Sequence, residues 1–199
     1  MRSLPRRHVC AVEPGAEQVV LVDGRDRRVG VATKMAAHIH GWRHRALSVF
    51  VINDRHEVLL QKRSQAKYHS GGLWSNTCCG HPRPGERVLR AAKRRLREEM
   101  GFDCQLHRIG AIQYSLDVGN GLVESEYLHL FVGQWNGEPV PAADEVCQWR
   151  WSAPSAIDAL IVRQPARFTA WFPLVWPNVR RSLDVGAFSP TKSIGAIPP

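Results

Sequence analysis

Two carboxylates close together in the second half of the chain could bind a cation. Glu124 and Glu126 lie two residues apart in a stretch that predicts a β-strand, where such residues face the same side. Neighbouring carboxylates repel each other unless a cation lies between them or one of them is protonated. The pair therefore indicates either a cation site or a solvated strand face.

Histidines and cysteines add further candidate ligands and proton donors. His38, His40 and His44 fall within seven residues and could bind Zn²⁺ or Mn²⁺, or lie on the surface. Cys79 precedes His81 by two residues, but the chain contains no CxxC motif. A structural zinc knuckle is therefore disfavoured.

A segment without Gly or Pro, residues 86–100, has the strongest helical pattern in the chain and predicts a helix that ends at Gly101. Its apolar side contains Val88, Leu89, Ala92, Leu96 and Met100. Glu99 lies at the edge of that side, where a carboxylate is costly unless it is paired or binds a metal. Arg95 could supply the pair at i, i+4 spacing, and metal binding is the alternative.

The surrounding pattern predicts one domain of α/β (α+β) type. Strands are predicted at 19–22, 29–32, 46–53, 58–62, 106–115, 124–135 and 146–151, with hairpins joining the first two and the next two. Shorter helices are predicted at 152–160, with Ser152 as the cap, at 166–176 and after Pro177. Residues 1–18 are predicted to be a flexible arm, 19–185 the domain and 186–199 a loose tail.

Composition narrows the classes of partner and compartment. The chain has 199 residues, and 27 Lys and Arg against 18 Asp and Glu give a net charge of +9, which favours an anionic partner. No apolar run approaches the roughly 18 residues of a membrane span. The five cysteines, two of them adjacent, favour a reducing cytoplasm. A basic helix side without interleaved aromatic residues favours a solvated surface over nucleic-acid binding.

The helix and the loop before it resemble the Nudix box, G-x5-E-x7-R-E-U-x-E-E-x-G-U, in which U is a bulky apolar residue. The matching residues are Gly80, Glu86, Arg94, Leu96, Glu98, Glu99, Gly101 and Phe102. In that family the carboxylates bind divalent cations that hold a diphosphate, as Mg²⁺ chemistry favours. Arg95 replaces the first glutamate of the R-E-U-x-E-E core, which disfavours hydrolysis by the usual Nudix route.

Four further stretches resemble type I isopentenyl-diphosphate isomerases, a Nudix-fold enzyme family of isoprenoid synthesis. They are 44–50 (HRALSVF), 59–67 (LLQKRSQAK), 74–82 (WSNTCCGHP) and 124–126 (ESE). Arg95 at the box position is also what these isomerases have. The resemblance implies a mixed β-sheet sandwiched by helices and an enzyme that interconverts isopentenyl diphosphate and dimethylallyl diphosphate.

The resemblance implies that Cys79 and Glu126 flank the double bond and transfer protons on opposite faces, with Tyr114 hydrogen-bonded to the carboxylate. Shifting an unactivated double bond requires protonation of one carbon, a tertiary carbocation and proton loss from another carbon. Which of Cys79 and Glu126 is the acid in the forward direction stays open. Three of the other four cysteines are interpreted as structural or core residues: Cys78, Cys104 and Cys147.

The resemblance also implies a site for one Mn²⁺ or Zn²⁺ made of three histidines and two glutamates. The matching residues are His38, His44, His81, Glu124 and Glu126. The interval from His38 to His44 is about one residue shorter than is usual in the family, so His40 stays an alternative ligand. Mg²⁺ is implied as a second cation, which arrives with the diphosphate and is held by Glu99.

Four basic residues match the diphosphate-binding cations of the family: Lys34, Arg63, Lys67 and Arg95. Trp171 matches a pocket aromatic that can stabilise a carbocation. Three histidines match no family position and are predicted to be surface or core residues: His69, His107 and His129.

The isomerase interpretation has two alternatives. One is a Nudix diphosphohydrolase of a nucleotide or prenyl diphosphate, which Arg95, Cys79 and the pair Glu124 and Glu126 disfavour. The other is a non-catalytic basic binding module, which leaves the metal and thiol residues without a role. We expect a cytoplasmic protein, a monomer or a homodimer, that acts on a small prenyl diphosphate and has no nucleic-acid or membrane partner.

Overall fold

The computed structural model describes residues 17–184, which form nine strands, four α-helices and a short 3-10 helix at Pro165–Arg167. The strands are β1 Gln18–Val22, β2 Arg28–Thr33, β3 His44–Ile52, β4 Val58–Arg63, β5 Trp74–Ser75, β6 Cys78–Gly80, β7 Leu106–Asp117, β8 Val123–Gln134 and β9 Val146–Ser152. The α-helices are α1 Lys34–His40, α2 Val88–Met100, α3 Pro154–Arg163 and α4 Phe172–Asp184.

Strand β3 is the centre of the sheet. It pairs in parallel with β8 from His44 opposite Glu126 to Ile52 opposite Gln134. It also pairs with β1, β6 and β4 in turn, all antiparallel. The predicted hairpin of β1 and β2 is confirmed. The predicted hairpin of β3 and β4 is confirmed at its turn, with Ile52 opposite Val58. Beyond this pair the two strands separate, because β6 pairs with β3 and β5 pairs with β4 on the facing edges.

Alternate residues of β3 contribute to two hydrophobic cores. Ala46 and Phe50 pack with α3 and α4, whereas Leu47 and Val49 pack with α2. The sheet therefore lies between helices on its two faces, and the predicted α+β architecture is confirmed.

Several local predictions require correction. Helix α2 begins at Val88, and Leu89, predicted to be on the apolar side, is exposed. Ala153 rather than Ser152 caps α3, and α4 continues through Pro177. Cys147, predicted to be in the core, is exposed.

The terminal predictions fall almost entirely outside the described residues. Of the predicted arm and tail, only Glu17 and Gln18 are described, and Gln18 already belongs to β1. Within residues 17–184, none of the helices has the length and apolar character that crossing a membrane would require.

Candidate functional site

A pocket of about 440 Å³ opens beside β3, β6 and β8 and contains most of the predicted site residues. Its charged side chains are six carboxylates, Glu17, Glu99, Glu124, Glu126, Asp144 and Glu145, and four cations, Lys34, Arg63, Lys67 and Arg95. Its other functional groups are those of Cys79, His69, His81, Tyr68, Tyr114 and Trp171. The carboxylates outnumber the basic side chains, so an anionic ligand would need additional positive charge.

Helix α1 positions His38 beside Glu124, one of the carboxylates of the pocket. Thr33 caps the helix through its hydroxyl, which accepts from the Ala36 N–H, and Gly41 ends it in the left-handed conformation. His38 is fully buried, and its Nδ1 lies 2.6 Å from the Lys34 carbonyl oxygen. Its Nε2 therefore faces Glu124, with Oε1 at 3.6 Å.

His40, the alternative ligand, lies outside this pocket. It is exposed and stacks on Trp42, with 4.6 Å between the ring centroids. The structure thus places His38, and not His40, beside the carboxylates.

Glu126 lies on β8, between β3 and β7. It lies opposite His44 on β3 and opposite Tyr114 on β7, whose hydroxyl donates to Glu126 Oε2. His44 Nε2 and His81 Nε2 lie 3.7 and 3.2 Å from Glu126 Oε1. Burial raises the pKa of Glu126, but the two imidazoles outweigh burial and hold the pKa below its ordinary value before any cation binds.

The donor atoms of this region fit a divalent cation. Nε2 of His81 lies 3.2 Å from Glu126 Oε1. Nε2 of His38 and Nε2 of His44 are buried without a hydrogen-bond partner. An unpartnered buried polar atom costs about 1–3 kcal/mol, and a cation supplies the partner that these nitrogens lack. Imidazole nitrogens with carboxylate oxygens are the donors that Zn²⁺ and Mn²⁺ accept.

Cys79 faces the pocket from β6, which lies along the edge of β3 opposite to β8. Its Sγ donates to Asn76 Oδ1 at 3.1 Å. Burial and the nearby Glu99 carboxylate raise the pKa of the Cys79 thiol to about 12, so the thiol is protonated at neutral pH. Cys78 points to the other side, where it is fully buried against α2.

Arg95 and Glu99 form the helical ion pair that the sequence allowed. Arg95 Nη2 lies 2.5 Å from Glu99 Oε1 and 3.1 Å from Glu145 Oε1. Gln61 Nε2 donates to the other Glu99 oxygen at 2.8 Å. Burial raises the pKa of Glu99 although Arg95 opposes this shift. The carboxylate therefore leans inward, as the helical pattern predicts, at the border of the pocket.

The other predicted diphosphate-binding cations are also held by protein groups. Lys34 Nζ lies 2.9 Å from Glu17 Oε2, and Lys67 pairs with Glu145. The Arg63 guanidinium lies 5.4 Å from the centroid of the buried Trp171 ring.

Sequence reasoning missed four groups at this site: Glu17, His69, Asn76 and Glu145. Asn76 stands inside a quoted motif, but its contact with the Cys79 thiol depends on the turn between β5 and β6. His69 and Glu145 lie between regular elements, where neither helical nor strand periodicity indicates the direction of a side chain. Their places are set by the tertiary fold.

Residues 42–172 match the NUDIX domain family. The chain is 44% identical over 182 residues to an isopentenyl-diphosphate Delta-isomerase 2 of Aromatoleum aromaticum, covering 90% of this chain and 96% of that protein. It is 48% identical over 159 residues to the isopentenyl-diphosphate Delta-isomerase of Halorhodospira halophila, covering 78% and 91%. The chain belongs to the isopentenyl-diphosphate Delta-isomerase family.

Solved structures support the fold of this isomerase family member. DR0079 from Deinococcus radiodurans superposes with a TM-score of 0.65 at 19% identity, covering 82% of this chain and 98% of that one. A MutT NUDIX hydrolase from Burkholderia pseudomallei gives a TM-score of 0.55 at 21% identity, covering 69% and 98%. At such identities the likeness shows the NUDIX fold alone.

Proposed function

We propose that this protein interconverts isopentenyl diphosphate and dimethylallyl diphosphate by protonation and deprotonation through a tertiary carbocation. The principal support is the position of Cys79 and Glu126 in one pocket, on strands that border opposite edges of β3. A substrate double bond between them would have one proton-transfer group on each side. The two side chains are also of the types that general acid–base catalysis uses.

The protonation states suit a shared role for these two groups. The Cys79 thiol holds a proton at neutral pH, since its pKa is raised, and Glu126 is ionised. Burial and the adjacent Glu126 carboxylate raise the pKa of Tyr114, so its hydroxyl remains a donor to Glu126. Tyr114 therefore orients the carboxylate, and Trp171 offers an aromatic ring to the cationic centre.

We propose that His38, His44, His81, Glu124 and Glu126 hold one Mn²⁺ or Zn²⁺. When bound, this cation draws electron density from Glu126 and adjusts the acidity of that carboxyl group. We further propose that Glu99 holds Mg²⁺ that accompanies the diphosphate. The excess of carboxylates over cations in the pocket supports binding of the substrate as a magnesium complex rather than as a free anion.

Lys34, Arg63, Lys67 and Arg95 are proposed to bind the diphosphate oxygens. Arg95 lies where a hydrolase of this fold has a metal-binding glutamate, and it pairs with Glu99. The substitution removes a ligand that would help to activate water, which favours isomerisation over hydrolysis. We also propose that the protein is cytoplasmic and is a monomer or a homodimer. The free thiols among its described residues support a reducing compartment.

The test is to incubate the purified protein with isopentenyl diphosphate in D₂O, with Mg²⁺ and either Mn²⁺ or Zn²⁺. Proton, deuterium and phosphorus NMR then follow the product, the incorporated deuterium and free phosphate. We expect deuterated dimethylallyl diphosphate and no phosphate. Release of phosphate would support the hydrolase, and absence of both reactions in folded, metal-loaded protein would refute the proposal.

A further inference from the structure

His69 lies beside Glu124, although the family resemblance gives it no role. It stands in the segment between β4 and β5 and is 5% exposed. Its Nε2 lies 3.4 Å from Glu124 Oε1, the same oxygen that lies 3.6 Å from His38 Nε2. The ligand atoms of His38, His69 and Glu124 all lie within 4.8 Å of one another. Their spacing allows the three side chains to share one cation.

The surroundings of His69 fix its ring in place. The ring meets Tyr68 edge-on, with 4.5 Å between centroids, and meets Trp171 edge-on at 6.0 Å. Gly72, with φ of +73°, turns the chain back close to Gln65 where a side chain would collide. The loop therefore presents a buried imidazole to the pocket rather than a freely rotating one.

The hydrogen bond on the far side of the ring matches that of the other histidines. His69 Nδ1 lies 3.2 Å from Ser70 Oγ, as His38 Nδ1 lies beside the Lys34 carbonyl and His44 Nδ1 beside the Trp42 carbonyl at 2.9 Å. Metal-binding histidines commonly donate the proton of one nitrogen to such an oxygen, which leaves the other nitrogen free to ligate. In all three residues this free nitrogen is Nε2, and it faces the carboxylates.

Charge at this position also favours a cation. When Nδ1 of His69 donates its proton to Ser70 Oγ, the Nε2 lone pair points toward the Glu124 carboxylate, and two acceptors then lie against each other. A cation between them removes this repulsion.

From this geometry we propose that His69 is a further protein ligand of the cation that His38 and Glu124 bind. The inference rests on the proposed metal site and extends it to four imidazoles and two carboxylates. With six protein ligands, a bound cation would act through the acidity and position of those ligands rather than by presenting a water molecule.

The experiment compares metal binding by the wild-type chain and by three variants, His69→Ala, His38→Ala and His129→Ala. His129 is a matched control because it is equally buried but pairs with Asp26, with Nε2 at 3.0 Å from Oδ2. The dissociation constant for Mn²⁺ is measured by competition with a chelator, and the visible spectrum is recorded after loading with Co²⁺. X-ray absorption of the Zn²⁺-loaded protein counts the imidazoles.

We expect His69→Ala and His38→Ala each to raise the Mn²⁺ dissociation constant at least roughly 10-fold, to change the Co²⁺ spectrum and to remove one imidazole. His129→Ala should leave all three unchanged. His69→Gln keeps a donor for Glu124, and we expect it to lose the imidazole as His69→Ala does.

Two results would overturn the role of His69. One is an unchanged affinity, spectrum and imidazole count in His69→Ala. The other is weaker binding in His69→Ala with the wild-type spectrum and count, restored by His69→Gln, because this pattern would make His69 a hydrogen-bond donor to Glu124. In both cases His38→Ala still loses the metal. Failure of the wild-type chain to bind any of the three metals would instead refute the metal site of the proposed function, and His69 ligation with it.

Discussion

The adjacent cysteines Cys78 and Cys79 allow catalysis and folding to be tested by matched substitutions. The Cys79 side chain lines the pocket, whereas that of Cys78 is fully buried among the apolar residues beneath α2. We therefore expect Cys79→Ala to be folded and nearly inactive. We expect Cys78→Ala to be active and less stable.

The sizes of these effects follow from the contacts of each thiol. Loss of one proton-transfer group costs roughly 10²- to 10⁴-fold in rate, or about 3–5 kcal/mol of barrier. In stability, Cys79→Ala loses one hydrogen bond, worth about 0.5–1.5 kcal/mol. Asn76 Oδ1 is not left unpaired, because Ser75 Oγ still donates to it at 3.1 Å. Cys78→Ala removes a buried sulfur and opens a small cavity, which costs about 1–2 kcal/mol.

The assay combines the NMR turnover measurement with urea unfolding of the wild type and both variants. We expect kcat to fall only in Cys79→Ala. We expect the larger loss of unfolding free energy in Cys78→Ala. A fully active Cys79→Ala variant would refute the role of this thiol. A stable but inactive Cys78→Ala variant would assign the proton-transfer role to Cys78 instead.

Three further predictions concern the metal ligand, the stability at low pH and the end of α2. His38→Ala should lower the bound metal, measured by elemental analysis, more than His40→Ala, and the reverse order would make His40 the ligand. Glu86 accepts two hydrogen bonds from Arg94, at 2.9 and 2.8 Å, which hold its pKa below the ordinary 4.5. The ion pair therefore stabilises the fold above pH 4.5, and this stabilisation is lost as the pH falls. In urea unfolding, Glu86→Gln should lower the unfolding free energy by up to about 1 kcal/mol at pH 7 and by less at pH 3. An equal loss at both pH values would contradict this prediction. Gly101→Ala should lower the unfolding free energy by about 1–3 kcal/mol, because φ is +77° and a Cβ would collide with a backbone carbonyl; wild-type stability would contradict the cap.

The hydrophobic pattern predicted the element types but not their partners. The apolar runs at 46–53 and 58–62 predict strands whatever their pairing partners are, because a strand buried on both faces is apolar throughout. The pattern does not say that β3 pairs in parallel with β8, which is about eighty residues away in sequence. That pairing brings His44 beside Glu126, so it is the long-range contact on which the site depends.

The helix ends likewise include one that local residue preferences predict and one that tertiary pairing decides. Gly101 was recognised as the end of α2 because a left-handed cap has a strong residue preference. Ser152 was expected to cap α3, but β9 includes this residue, and the cap passes to Ala153. Pairing of β9 with β4 therefore overrode a local preference that considered the helix alone.

The sequence by itself determined the chemistry available to this protein: a thiol, paired carboxylates, spaced histidines and a box in which arginine replaces glutamate. It also determined the family, because these residues occur in a fixed order. Only the tertiary structure decided which histidines meet the carboxylates, placing His38 and His69 beside Glu124 and leaving His40 exposed. The reason is physical: strand and helix periods fix the direction of side chains within an element, whereas a loop residue such as His69 takes its direction from the packing around it.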